Sequence, residues 1–436
     1  MLTTLGVVAF ALGLLASIAL HEVGHLVPAK RSGVKVTQYM VGFGPTLWST
    51  RRGETEYGLK WIPLGGYIRM IGMFPPRPGQ PPGTARSATT GPFQAMVEDA
   101  RRVSLQEIRP GDEARTFYRL PVRRKLLVML GGPTMNFLIA VVLFSVALLS
   151  FSIPREATTT VAAVSECVVP ASELAQRPDP SECLADDPPT PALKAGLRPG
   201  DQIVAFAGEP VTTWEQLSER IRETGAAAVT VTVLRSGWRL ELPVDLVATE
   251  RQSLDDPGEI VTVGFLGVEP TRIERRATVE EVPGFIWDAT WTTGQAVLAV
   301  PARMVGVWNA AFSGDERDPN GPIGIVGVSR IGGEVAATTE LDLSQKAFSF
   351  LALLAALNLA LFVFNLIPLL PLDGGHAAGA LWEGARRQVA RWRDRPDPGP
   401  VDVARMLPLA YTVALLLVAM SGLLLYADLV NPVRLG

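Results

Sequence analysis

The chain has 436 residues, room for more than one compact unit, and its 48% hydrophobic content and mean hydropathy of +0.24 place it between soluble and fully membrane-embedded proteins. A formal net charge of −3 and a pI near 5.8 lack the basic field that nucleic-acid binding requires, so no nucleic-acid partner is expected. The apolar residues are concentrated in four runs of roughly the ~20 residues that cross a bilayer: Leu5 to Val27, Leu126 to Phe151, Ala347 to Leu372 and Met406 to Tyr426.

The first run has no basic residue in Met1 to Gly6 and no small-residue cleavage site with a polar sequel, so it is expected to be a retained helix (residues 1–30) rather than a signal peptide. It ends in Leu20-His21-Glu22-Val23-Gly24-His25. On a helix the two histidines fall on one face, where two neutral imidazoles can hold a zinc ion while Glu22 reaches a metal-bound water. The same pentapeptide arises by chance in soluble helices. Here the uncharged stretch Leu5 to Leu20 sets it inside a candidate span, and two of the chain's three histidines lie in it.

Residues 31–74 have strand character broken by Gly and Pro, with strands expected at Thr37 to Phe43, Thr46 to Thr50, Thr55 to Ile62 and Tyr67 to Met70. Rich in glycine, including Gly65 and Gly66, this region is read as a membrane-associated β-hairpin or sheet dipping toward the bilayer, with an ordinary cytoplasmic hairpin as the alternative. Residues 75–122 are read as a cytoplasmic Pro/Gly-rich loop, to Gly91, and a polar helix from Phe93 to Ile108. The second span (residues 123–153) carries Gly131-Gly132-Pro133-Thr134-Met135-Asn136, small residues that permit close helix approach, plus a hydrogen-bonding amide within the apolar run.

Residues 158–272 are expected to form a soluble α+β unit. It has a glycine turn at Ala195 to Asp201, a strand from Gln202 to Phe206, a helix from Thr213 to Thr224, and strands Ala228 to Leu234 and Arg239 to Val244 joined at Ser236-Gly237. The order resembles one PDZ domain, a fold that can bind peptide ends by strand addition or serve as a bulky exterior. Basic residues flank the spans on one side (Lys30, Arg31, Lys35; Arg123, Arg124, Lys125; Arg386, Arg387, Arg391, Arg393, Arg395; Arg405), which should be cytoplasmic, leaving both termini and this unit extracytoplasmic. Cys167 and Cys183 then lie in an exported segment where a disulfide persists, two free thiols being the alternative.

In residues 279–345, Pro283 to Phe312 carries Trp287, Trp291 and Trp308 at helical spacing; Asp288, Pro301 and Arg303 make it a poor span, so it is placed along the outer interface, followed by a glycine-rich connection. The third span (residues 346–376) ends in Asn365-Leu366-Ile367-Pro368-Leu369-Leu370-Pro371-Leu372-Asp373-Gly374-Gly375-His376, a cytoplasmic loop covers residues 377–404, and the fourth span residues 405–428. An Asp at a span centre costs roughly 2.5–3.5 kcal/mol, less near its ends. A shared divalent cation removes that cost, and two His plus a carboxylate with an open position is a known catalytic zinc shell. Pro368, Pro371, Gly374 and Gly375 should break the helix and turn Asp373 toward the metal.

With His21-Glu22-Val23-Gly24-His25, Gly132-Pro133-x-x-Asn136, one PDZ-like unit and Asn365-x-x-Pro368…Leu372-Asp373-Gly374 assembled, the chain resembles, over nearly its whole length, the site-2 protease family of intramembrane zinc metalloproteases, and within it the bacterial regulator-of-sigma type. One departure exists: the family's second Pro usually follows the first by two residues, whereas here Leu370 fills that place and Pro371 comes next. The resemblance implies a polytopic α-helical membrane protein with four transmembrane helices, one catalytic zinc on His21, His25 and Asp373, and Glu22 as general base. It implies substrate-binding roles for Asn365, Pro368 and Asn136, to which the residue reading adds Gly65 and Gly66 of the sheet, whose edge could pair with an unwound substrate. The implied partner is a single-pass membrane protein, such as an anti-sigma factor, already shortened by an upstream site-1 type protease, in a bacterial cytoplasmic membrane. A membrane-anchored zinc peptidase for soluble peptides and a non-enzymatic PDZ-presenting scaffold are the competing readings.

Overall fold

The computed structural model describes residues 2–76, 92–174, 177, 183–253, 260–313, 317–318, 321–338 and 341–432. They form two units, Met1–Phe151 with Ala277–Gly436, and Ser152–Arg276. Helix α1 (Leu2–Arg31) is apolar on all sides over most of its length, the pattern of a helix buried in lipid rather than half in water. Gly33, at φ +84°, then turns the chain into β1 (Val36–Arg52), which pairs with β2 (Thr55–Met70). The four expected strands run together as these two long ones. Residues 38–41 have partners in both halves of β2, so the first half of β1 lies between them. The sheet is pinned to α1 by the Tyr39 hydroxyl, which donates to the Ala19 carbonyl at 2.8 Å, and by Lys30, which donates to Tyr57 at 2.7 Å. Phe43, Trp48, Trp61 and Ile62 stay exposed on it. The expected loop from 75 to 91 lies, from residue 77 on, outside the described residues. Helix α2 (Pro92–Gln106) follows, and the second apolar run divides into α3 (Val122–Met129) and α4 (Gly131–Ser150).

The second unit is built on one sheet in the order β10-β3-β4-β6-β7, from β3 (Ile153–Val164), β4 (Gln202–Phe206), β6 (Ala228–Arg235), β7 (Trp238–Asp245) and β10 (Val268–Arg275). The short β5 (Glu209–Pro210) pairs with β4, and β8 (Val247–Gln252) with β9 (Ile260–Phe265) makes a separate hairpin. Helix α5 (Trp214–Thr224) is capped by Thr213, whose hydroxyl accepts from the Gln216 N–H, and it buries Leu217 and Ile221 against Ile203, Phe206, Val231, Val233 and Leu266. Ser236 (φ +51°) and Gly237 (φ +86°) form the β6–β7 turn, a hairpin geometry requiring positive φ at both positions. Cys167 and Cys183 are bonded to each other.

The chain returns to the first unit through α6 (Glu281–Phe312), matching the expected tryptophan-bearing helix. The connection after it holds a further helix, α7 (Ile325–Ala337), where only a glycine-rich link was expected. Its glycines carry the packing: a Cβ on Gly333 would meet Val7 Cγ2 of α1 at 2.8 Å, and one on Gly6 would meet Ala336 Cβ at 2.6 Å. Close contact here outweighs the ~1 kcal/mol that each glycine costs a helix.

Helix α8 (Leu343–Asn365) starts at an Asp342–Gln345 capping box and stops seven residues short of the expected end of the third run. Pro368 and Pro371 lack the N–H groups that would continue it. Asp373 therefore does not close the third span but opens a separate helix, α9 (Asp373–Trp392), which also occupies much of the stretch expected to be loop 377–404. Nor do Gly374 and Gly375 break a helix. They lie in the first turn of α9 against the backbone of 366–370, where a Cβ on Gly375 would come within 2.6 Å of the Leu369 carbonyl carbon. Helix α10 (Leu407–Val430) ends the described chain. Among the described residues four helical segments, Thr3–Arg31, Gly131–Ser150, Leu343–Asn365 and Val403–Val430, are long and apolar enough to cross a membrane.

Candidate metal centre

His21 and His25, one turn apart on α1, meet Asp373 from the first turn of α9. The Nε2 atoms of the two imidazoles are 3.2 Å apart, and Asp373 Oδ2 lies 3.4 Å from His21 Nε2 and 3.3 Å from His25 Nε2. Three donors each ~2.0–2.1 Å from one tetrahedral zinc stand about 3.3 Å from one another, so the three atoms have the mutual spacing such an ion demands. His25 Nδ1 is 2.7 Å from the Val128 carbonyl oxygen, to which it donates. That bond puts the ring's proton on Nδ1 and leaves the Nε2 lone pair facing Asp373 and His21, the usual outer support of a ligating imidazole. Among the described residues this is the cluster of three His, Cys, Asp or Glu groups able to hold a metal ion.

The back of the cluster is glycine. A Cβ on Gly132 would overlap His25 Nε2 and come within 2.7 Å of His21 Nε2, and Gly24 of α1 meets Gly131 backbone to backbone. Only small residues let α1 and α4 cross this closely, and the crossing sets the imidazoles against α4. On another side Gly66 of β2 lies against Glu22, where a Cβ would meet Glu22 Cγ at 2.8 Å. Glu22 and His25 are buried, and the Asp373 side chain keeps 20% of its surface.

The structure thus gathers His21, His25, Asp373, Glu22 and Gly66. Gly65 is beside it at φ +91°, its face toward Phe43. Asn136, one turn past Gly132 on α4, is buried with its Oδ1 unpartnered. Asn365 closes α8 half-buried and Pro368 lies exposed in the turn after it; among the described residues neither is hydrogen-bonded to the cluster. Three supports were not anticipated from sequence. They are the Val128 carbonyl, the buried Asn358 of α8 whose amide donates to Ser17 of α1 at 3.0 Å, and a buried Lys125–Glu383 pair at 2.7 Å linking α3 to α9. The asparagine and glutamate, polar groups amid helical runs, were the readable signals; a backbone carbonyl gives none.

The sequence model of peptidase family M50 matches residues 9–394. Zinc metalloprotease Rip1 of Mycobacterium bovis (strain BCG / Pasteur 1173P2) is 36% identical over 443 residues, covering 100% of each chain. Metalloprotease MmpA of Caulobacter vibrioides is 26% identical over 86% of this chain and 85% of its own length. Zinc metalloprotease RasP of Oceanobacillus iheyensis is 24% identical over 85% and 88% respectively.

Proposed function

The chain belongs to peptidase family M50, and from that premise we propose that this zinc metalloendopeptidase hydrolyses a peptide bond within or near the transmembrane segment of a single-pass membrane protein, such as an already trimmed anti-sigma factor. The observation that carries the reading is the meeting of His21, His25 and Asp373, from opposite ends of the chain, at the end of a helix apolar enough to cross a membrane. That setting also disfavours a peptidase for soluble peptides. His21, His25 and Asp373 hold the zinc, which when bound supplies Lewis acidity and an acidified water at neutral pH. Glu22 is the general base: it takes a proton during attack on the scissile carbonyl and returns it to the leaving nitrogen, work worth typically 10²–10⁴ in rate. Gly66, lacking a side chain, leaves Glu22 room and brings β2 backbone beside it.

A helical substrate hides its carbonyls in internal hydrogen bonds and must unwind before attack, and lipid offers its freed backbone no partners. An edge of the β1–β2 sheet around Gly65 and Gly66 supplies them by strand addition, with Asn365, Pro368 and Asn136 lining the substrate path. The basic flanks favour a metal centre toward the cytoplasmic side of the membrane and an extracytoplasmic Ser152–Arg276 unit, whose PDZ-like sheet and helix would there exclude substrates that an upstream protease has not trimmed. The test is incubation of the purified chain with a candidate single-pass substrate, mapping the cut by mass spectrometry. One cut in or beside the membrane segment is expected, lost with a zinc chelator and in Glu22→Gln, while that variant keeps its zinc. Cleavage by Glu22→Gln at the wild-type rate would show that the base lies elsewhere.

A further inference from the structure

Behind the metal centre, on the far side of the Gly24–Gly131 crossing, α1 and α3–α4 leave an open groove of about 750 Å³. Its floor is apolar: Val27, Leu127, Leu130 and Leu138 line it, with Leu127 63% and Leu138 50% exposed. Arg31 and Arg123, both exposed, line it too. Neither has an acidic partner among the described residues, whereas other cations of the same unit are paired: Arg115 with Glu54, Lys35 with Asp112 and Arg69 with Glu107. The groove is therefore cationic where Arg31 and Arg123 stand and greasy along its length.

Length identifies the occupant. From Arg123 to Leu138 is fifteen residues across α3 and α4, a reach of at most about 22 Å at ~1.5 Å per residue. One leaflet, half of the ~40–45 Å total bilayer thickness, is also roughly 20–22 Å deep including its headgroups. An unwound polypeptide would need backbone partners here, and of polar uncharged side chains the lining offers only the hydroxyls of Ser32 and Thr134. An acyl chain needs none. We propose that this groove seats one anionic phospholipid, its phosphate held by Arg31 and Arg123 and one chain lying along Leu127, Leu130 and Leu138. Guanidinium forks match phosphate geometry, and basic pockets between membrane helices are where anionic headgroups bind.

The experiment is native mass spectrometry of the full-length zinc-loaded chain in detergent, delipidated and then offered dioleoyl phosphatidylglycerol, dioleoyl phosphatidylcholine or inorganic phosphate. One phosphatidylglycerol per chain should be retained with at least about tenfold preference over phosphatidylcholine, uncompeted by phosphate. The pair Arg31→Gln with Arg123→Gln should abolish the preference. Leu127→Trp, which fills the groove, should lower retention of both lipids while zinc content stays at wild type. Equal retention of the two lipids, a preference surviving the double substitution, or displacement by phosphate alone would overturn the proposal. So would crosslinking of a peptide substrate, rather than lipid, to a photoreactive residue at Leu138.

Discussion

The two units of this chain hold themselves together by different physics. The Ser152–Arg276 unit is built around one apolar core in which Leu217, Ile203, Val231 and Phe206 are buried together. In the helical unit apolar side chains gain little by leaving lipid for one another, so close backbone contact and polar groups take over. Gly24 meets Gly131, Gly333 meets Val7, and Asn358 bonds Ser17. Two of its ion pairs are shut away, Lys125–Glu383 at 2.7 Å and Arg317–Asp428 at 3.1 Å with both side chains at 3% exposure or less, while others such as Arg115–Glu54 stay partly exposed. A position with no side chain is thus worth most in one unit, and a large buried side chain in the other.

The sharpest way to break this contrast is Gly132→Val. The added atoms collide with both imidazoles, so stoichiometric zinc should be lost and proteolysis fall by about three orders of magnitude, the scale on which a positioned catalytic group acts. Zinc analysis beside a cleavage assay reads both. Leu217→Ala probes the other side. Fully buried, Leu217 should cost its unit about 2–5 kcal/mol on truncation, seen as earlier local unfolding by hydrogen exchange, with zinc content unchanged. Loss of zinc there would mean that the two units share their stability. Deleting Ser152–Arg276 should have the mildest effect on chemistry, leaving the rate on a trimmed substrate within about threefold while full-length substrates become cleavable; unchanged selectivity would argue against a filtering role.

What could be read in advance divides along the same line. The second unit's strands, its capped helix and its Ser236-Gly237 turn follow local rules, since alternation, capping and positive-φ residues are written in short stretches. Apolar runs likewise announced the spans, and His21, Glu22, His25 and Asp373 stood out because ionisable groups in such runs need a partner. Hidden from sequence was whatever depends on two segments meeting. Pro368 signalled a break but not that a new helix would start at Asp373. The glycines of α7 suggested a loose link, whereas they mark a tight helix contact with α1. The Val128 carbonyl that orients His25 has no side-chain signature at all.

The central claim is that residues 352 positions apart in sequence, His21 and Asp373, hold one metal ion together. Zinc stoichiometry of purified wild type and Asp373→Ala, with X-ray absorption of the bound metal, tests it directly. One zinc per wild-type chain, with two imidazoles and a carboxylate in its shell and loss of the ion in Asp373→Ala, is the predicted result. Full zinc occupancy with an unchanged ligand shell in Asp373→Ala would contradict the account.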